Sequence, residues 1–309
     1  MHSCHNRIAV ALQKLFPNNN VAPNHFGELL TQYAESGLSP PHLVAEIETG
    51  DEGKLWSYLW EAMLYRHLRS MGYALRNSVR AAGQHGPDFC VDHQGRTIWI
   101  EATVPSPEGI PVDWLEPPRK DKYRLKTKPD QQRVLRCTSA IVAKQKKFAE
   151  YRTKGIVGAN DCMVIAVNIC RLSDWDFDGN GISQLPLMME AVFHIGPLGF
   201  PITREGKLDG PAQHLPRFAV AKASGSEIQT ANFLDPQFAN VSAVIQGHQK
   251  DMLANALFLS TVHNPLANNP LPISLFGSCK EFVAERCGDE FQVTDMAMKE
   301  RCAESHLPK

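Results

Sequence analysis

Three patterns of apolar and polar positions run along this chain, and each predicts a kind of element. Helical spacing puts Ser57, Glu61, Leu64 and Leu68 on one side of a helix from Lys54 to Ser70, and Gly72 follows where a left-handed cap is needed. A shorter helix, Phe26 to Ser36, precedes it and is closed by Ser39-Pro40-Pro41. Strict alternation then takes over. Pro87 to Asp92 and Thr97 to Val104 are rich in β-branched and aromatic residues and joined by His93-Gln94-Gly95-Arg96, which predicts a hairpin. In its second strand Ile98, Ile100, Ala102 and Val104 form an apolar face, and Thr97, Trp99, Glu101 and Thr103 form the other.

Helical spacing returns from Gln132 to Tyr151, with Cys137, Ile141, Lys144, Phe148 and Tyr151 on one side and Lys146 well round the helix. The third pattern is the unbroken apolar run. Cys162 to Ile169 predicts a strand buried on both faces, and Val241 to Ile245 and Ala256 to Val262 predict two more. Helices alternating with strands in this order predict an α/β fold with a mixed central β-sheet flanked by helices. The expected organisation is an N-terminal helical segment over residues 1–50 and a core over 51–275. A Gly-, Pro- and Asp-rich insertion at about 171–239 interrupts that core, and a peripheral helix and tail over 276–309 follow it.

Composition narrows the function classes. With 43% hydrophobic and 21% charged residues, the chain can bury a sizeable core. A formal net charge of -1 supplies no global field for nucleic acid or anionic membrane, so any such binding falls to a local patch. No apolar run is long enough to span a bilayer, and Met1-His-Ser-Cys-His does not begin a secretory signal, so no membrane association and a cytoplasmic location are expected. The eight cysteines are scattered, none in a C-x-x-C pair, which points to reduced thiols rather than disulfides or zinc.

Candidate chemistry sits on the hairpin. Glu101 is the one acid in its strand, and a carboxylate on a central strand is costly unless paired or ligating a cation. Asp88 opens the neighbouring strand, where pairing would bring it near Glu101; two converging carboxylates repel unless a hard divalent cation lies between them.

Pro87-Asp88 followed by Glu101-Ala102-Thr103 resembles the PD-(D/E)XK nuclease superfamily. The likeness covers about Lys54 to Asn168 and implies a restriction-endonuclease-like core. It implies that Asp88 and Glu101 bind Mg2+, with Mn2+ as a substitute, that the Ala102 carbonyl adds a ligand, and that a lysine two residues beyond the second acid positions the attacking water. Thr103 occupies that lysine position, which is a departure from the family pattern. Members of the superfamily commonly carry a glutamate on the helix before the hairpin, which here is Glu61. Some move the lysine to the helix after it, which here is Lys144. The alternatives are a boundary glutamate in a surface ion pair and a lysine that snorkels its ammonium to water.

The resemblance implies metal-assisted phosphodiester hydrolysis. Arg119, Lys120, Lys122, Arg124, Lys126, Lys128, Arg133 and Arg136 form a basic stretch behind the hairpin, suited to gripping the phosphates of a nucleic acid, expected to be DNA. The alternative is a catalytically inactive protein of the same fold that binds nucleic acid or a protein partner, and homodimerisation is left open. Asp174-Trp-Asp176-Phe-Asp178-Gly179-Asn180 imitates the start of a calcium loop but has Leu185 where its last acid belongs, so it is read as an Asp-rich turn. His263-Asn264-Pro265 is read as a strand-ending turn.

Overall fold

A computed structural model of the 309-residue chain describes residues 3–17, 21–76, 86–116, 127–173, 179–222, 224–249, 257–287 and 290–296. Four helices come first: α1 (Cys4–Leu15), α2 (Val21–Glu35), α3 (Leu43–Glu48) and α4 (Glu52–Ser70). The Asp51 side chain caps α4 by accepting from the Lys54 N–H at 3.0 Å. At its far end Gly72, with φ +86°, donates to Arg69 O while Tyr73 donates to Leu68 O, the paired bonds of a Schellman cap.

The hairpin follows as β2 (Phe89–His93) and β3 (Arg96–Thr103), with β1 (Leu75–Arg76) on the outer edge of β2. Gln94 and Gly95 both take positive φ, 51° and 76°, so His93 pairs with Arg96 across a two-residue turn. After α5 (Val112–Leu115), helix α6 (Asp130–Thr153) carries the chain to β4 (Cys162–Asn168), which runs parallel to β3. Such a connection must cross over one face of the sheet, and α6 does so.

β9 (Ala243–Gly247), β10 (Ser260–His263), β11 (Lys280–Cys287) and β12 (Glu290–Asp295) complete a mixed eight-stranded sheet. Its order is β1-β2-β3-β4-β9-β10-β11-β12. β4 is buried at all seven positions and β9 at all five, the burial anticipated from their unbroken apolar runs.

Alternation sorts the side chains into two cores. Ile98, Ile100 and Ala102 of β3, Cys162, Val164 and Ala166 of β4, and Ala243 and Ile245 of β9 face the first four helices. Leu12 of α1, Leu30 of α2 and Trp60 of α4 lie in that core, so the first 50 residues share it with the sheet. Met163, Ile165 and Val167 of β4 face the other way, onto Val134, Cys137, Ile141 and Phe148 of α6. Trp60 is fixed by donating to Ala166 O at 3.0 Å, and its ring lies over Gly247, where an added Cβ would sit 2.6 Å from it.

The C-terminal helix expected over 276–309 is replaced, in its described part, by strands β11 and β12. Phe282 and Ala284, with Phe291 and Val293 beside them, alternate at period two and pack on the α6-side core. Charged residues between these positions, Glu281 and Glu285 of β11 among them, mask that period in the sequence.

The insertion holds α7 (Leu187–Val192) and two small antiparallel ribbons, β5 (Ile195–Gly199) with β6 (Gln213–Pro216), and β7 (Ala219–Ala221) with β8 (Glu227–Gln229). One buried cluster ties it to α6. Arg217 pairs with both Asp130 at the start of α6 and Glu190 on α7. Burial and the nearby Asp130 charge raise the Glu190 carboxyl above its ordinary range, while the Ser183 N–H and Arg217 hold it down. Among the described residues, no helix is long and apolar enough to cross a membrane.

Candidate functional site

β3 lies between β2 and β4, and its residues Ile98, Ile100, Glu101 and Ala102 are buried, so a polar side chain among them needs a partner. Glu101 is 2% exposed and faces α6. Its Oε1 accepts from Lys144 Nζ at 2.8 Å and lies 3.4 Å from Lys147 Nζ. Lys144 is largely covered, whereas Lys147 is half-exposed. The other oxygen, Oε2, is buried without a hydrogen-bond partner. A carboxylate oxygen left in that state costs free energy that a bound cation or water would recover.

Asp88 precedes β2, whose register pairs Phe89 with Ile100, so Asp88 stands beside the Glu101–Ala102 segment. Its Oδ2 accepts from the Ala102 N–H at 2.6 Å, and the side chain is buried. The two acids therefore flank one stretch of β3, Glu101 from within the strand and Asp88 from its neighbour. Thr103 is half-buried and pairs with Val167 of β4.

Glu61 lies on the opposite side of the arrangement. It is buried on α4, and its Oε2 accepts from Tyr33 OH at 2.9 Å. The Tyr33 ring in turn packs on Phe89, the residue after Asp88. Among the described residues, no three His, Cys, Asp or Glu side chains gather in a group able to hold a metal ion. Glu61 is thus linked to the hairpin through Tyr33 and does not join Asp88 and Glu101 in a three-carboxylate cluster.

No protein family, no curated protein and no solved structure matches this chain. The site is therefore argued from its own residues.

The basic stretch divides. Arg119, Lys120, Lys122, Arg124 and Lys126 lie outside the described residues. Lys128 is turned inward and donates to Asn180 O at 2.7 Å. Arg133 is fully buried and donates to the same carbonyl at 3.3 Å, so it does not belong to a phosphate-gripping surface. The reason is its place on α6, on the turn that also buries Val134 and Cys137. Arg136 pairs with the exposed Glu108 at 3.3 Å and borders an open hollow of about 510 Å3 that Gln132, Ser139 and Lys222 also line.

The described parts of the segments set aside in the sequence make ordinary structural bonds. Of the Asp-rich turn only Gly179 and Asn180 are described, and their carbonyls accept from Gln246, Lys128 and Arg133. β10 ends at His263, whose Nε2 meets Glu281 Oε1 at 2.7 Å, and Asn264 then bonds Phe238 O and Val241 O. Seven cysteines are described, all free, and burial pushes the Cys90 thiol up to about 11.

Two members of the site are absent from the sequence reading. Lys147 follows Lys144 by three residues, a spacing that places both on one side of a helix, and that was the available signal. Tyr33 carried no signal, because its contact with Glu61 joins separate helices 28 residues apart.

Proposed function

We propose that this chain is a metal-dependent nuclease that hydrolyses phosphodiester bonds, with DNA as the substrate, built on a restriction-endonuclease-like core. One observation carries the reading: a buried strand carboxylate, Glu101, is held through one oxygen by a lysine from the following helix while its other oxygen has no partner. The connectivity supports it, because α4 with Glu61, the β2–β3 hairpin with Asp88 and Glu101, and α6 with Lys144 follow one another as the resemblance to PD-(D/E)XK nucleases requires.

The donor set fits a hard divalent cation. Asp88 and Glu101 would supply carboxylate oxygens, and the buried Oε2 of Glu101 has no hydrogen-bond partner to displace. Bound there, Mg2+ or Mn2+ would acidify a water and stabilise charge on the phosphate. Lys144 pairs with Glu101 in its buried setting and would bring an ammonium to the site in place of the strand lysine that Thr103 replaces. Asp88 holds the Ala102 N–H, and with it the peptide that joins Ala102 to Glu101. Lys147, half-exposed at the rim, meets a phosphate as it approaches.

The test is cleavage of supercoiled DNA, single-stranded DNA and RNA by the purified chain in Mg2+, Mn2+ or EDTA. Cutting should need the metal, vanish in Glu101→Ala and fall at least about tenfold in Lys144→Ala, the loss of roughly 1.4 kcal/mol of transition-state stabilisation. Cutting that survives Glu101→Ala overturns the assignment.

One feature favours a second reading, a non-catalytic protein of this fold that binds nucleic acid or a protein. Two ammoniums already stand at Glu101 Oε1, and a carboxylate neutralised in this way holds a divalent cation less tightly. Metal-independent DNA binding without cleavage would select that reading.

A further inference from the structure

The β5–β6 ribbon exposes more apolar surface than a solvated hairpin needs. Leu198, Phe200 and Ile202 follow one another at period two, so they share one side of the extended chain. Leu208 bridges to Ile202 across the ribbon and therefore lies on the same side. These four side chains are between 45% and 69% exposed. Exposed apolar side chains gathered on one ribbon in this way mark an interaction site.

The edges of the ribbon are blunted. Pro197, Pro201, Pro211 and Pro216 remove N–H groups along it, which disfavours pairing with an added strand. The face is what remains available. Its base is rigid, because Arg217, next after β6, is held by Asp130 and Glu190, and its own carbonyl accepts from Thr230. A surface preorganised in this way loses little entropy on association.

The tip identifies the occupant. Arg204, Glu205, Lys207 and Asp209 are all exposed, alternate in sign around the Gly206 turn, and make no ion pair among the described residues. A set carrying two charges of each sign is complementary to itself when turned through a two-fold axis, so that residue i meets j and j meets i. The net charge of -1 leaves two copies with little mutual repulsion. We propose that this chain forms a homodimer in which the Leu198–Phe200–Ile202–Leu208 faces of two hairpins pack together across a two-fold axis. Lys207 of one copy then meets Glu205 of the other. A contact made by four such side chains from each copy is small against the roughly 1,000 Å2 that a specific interface needs, so the association is weak and concentration-dependent.

Sedimentation velocity of the full chain from about 1 to 200 μM, a range that brackets a micromolar Kd, provides the test. The mass should move from one chain towards two, and Phe200→Asp or Ile202→Asp should weaken association at least about tenfold. Glu205→Lys alone should weaken it, and adding Lys207→Glu should restore it, which no folding defect reproduces. A chain that stays monomeric throughout, or Asp variants that keep the dimer, overturns the proposal. So does a monomer whose DNA binding is lost in Phe200→Asp, since that would assign the aromatic face to base stacking. None of these outcomes depends on whether Glu101 supports cleavage.

Discussion

Lys144 Nζ lies 2.8 Å from Glu101 Oε1, joining the middle of α6 to the middle of β3 through a pair that solvent barely reaches. Removing one member strands the other. Lys144→Met should lower unfolding free energy by about 1–3 kcal/mol, less than for an isolated buried pair because Lys147 remains 3.4 Å from the same oxygen. The double variant with Glu101→Gln should recover part of that loss. Urea unfolding of the two singles and the double settles it, and strictly additive losses would mean that the pair is not coupled.

Asp88 has a structural duty that can be separated from a chemical one. Asp88→Asn keeps an acceptor for the Ala102 N–H, whereas Asp88→Ala leaves that buried donor unsatisfied at a cost of about 1–3 kcal/mol. The amide variant should stay near the parent in stability yet lose metal-dependent cleavage. Equal stability of Asp88→Ala and the parent would remove the bond from the account of the fold.

Gly247 is kept small by the indole above it. A Cβ there would stand 2.6 Å from the Trp60 ring, which is anchored to Ala166 O and cannot swing aside without losing that bond. Gly247→Ala should cost about 1–3 kcal/mol of overpacking and shift tryptophan emission. An unchanged melting temperature would show that the ring moves freely.

Acid should loosen the contact between α4 and the chain beyond β10. His67 bonds Phe276 O through Nε2, its Nδ1 is buried without a partner, and burial lowers its pKa below the usual 6.5. The unfolded chain therefore takes up this proton first. The stability contributed by neutral His67 is complete above about pH 6.5 and declines as pH falls through the lower folded value. Denaturant midpoints between pH 7.5 and 5 should show that decline, and His67→Gln should flatten it.

Much of the sheet was legible because its signals are local. The Gly72 cap, the hairpin connection at His93-Gln94-Gly95-Arg96, which the structure tightens to a two-residue turn, and the unbroken run at Cys162–Ile169 are each written within a few residues. Helical spacing likewise put Lys144 on the buried side of α6, and the structure sets it against Glu101. What escaped the sequence depends on distant parts meeting. Nothing near Arg133 shows that Asn180 will cover it, and nothing near Glu61 shows that Tyr33 will take its carboxylate. The strands β11 and β12 were lost for another reason: Lys280, Glu281, Glu285 and Arg286 on β11, and Glu290 and Asp295 on β12, match their apolar residues in number and hide the pattern.

The 24 residues of α6 form a stiff strut. Its first residue, Asp130, is gripped by Arg217 from the insertion, and Lys144, 14 residues on, touches β3 about 21 Å away at 1.5 Å per residue. A helix transmits a shift along its axis almost undiminished, so the ornament on the outside of the sheet and the ammonium beside its central carboxylate travel together. Lengthening or trimming the insertion at its Arg217 anchor would retune that inner contact without altering any residue that forms it.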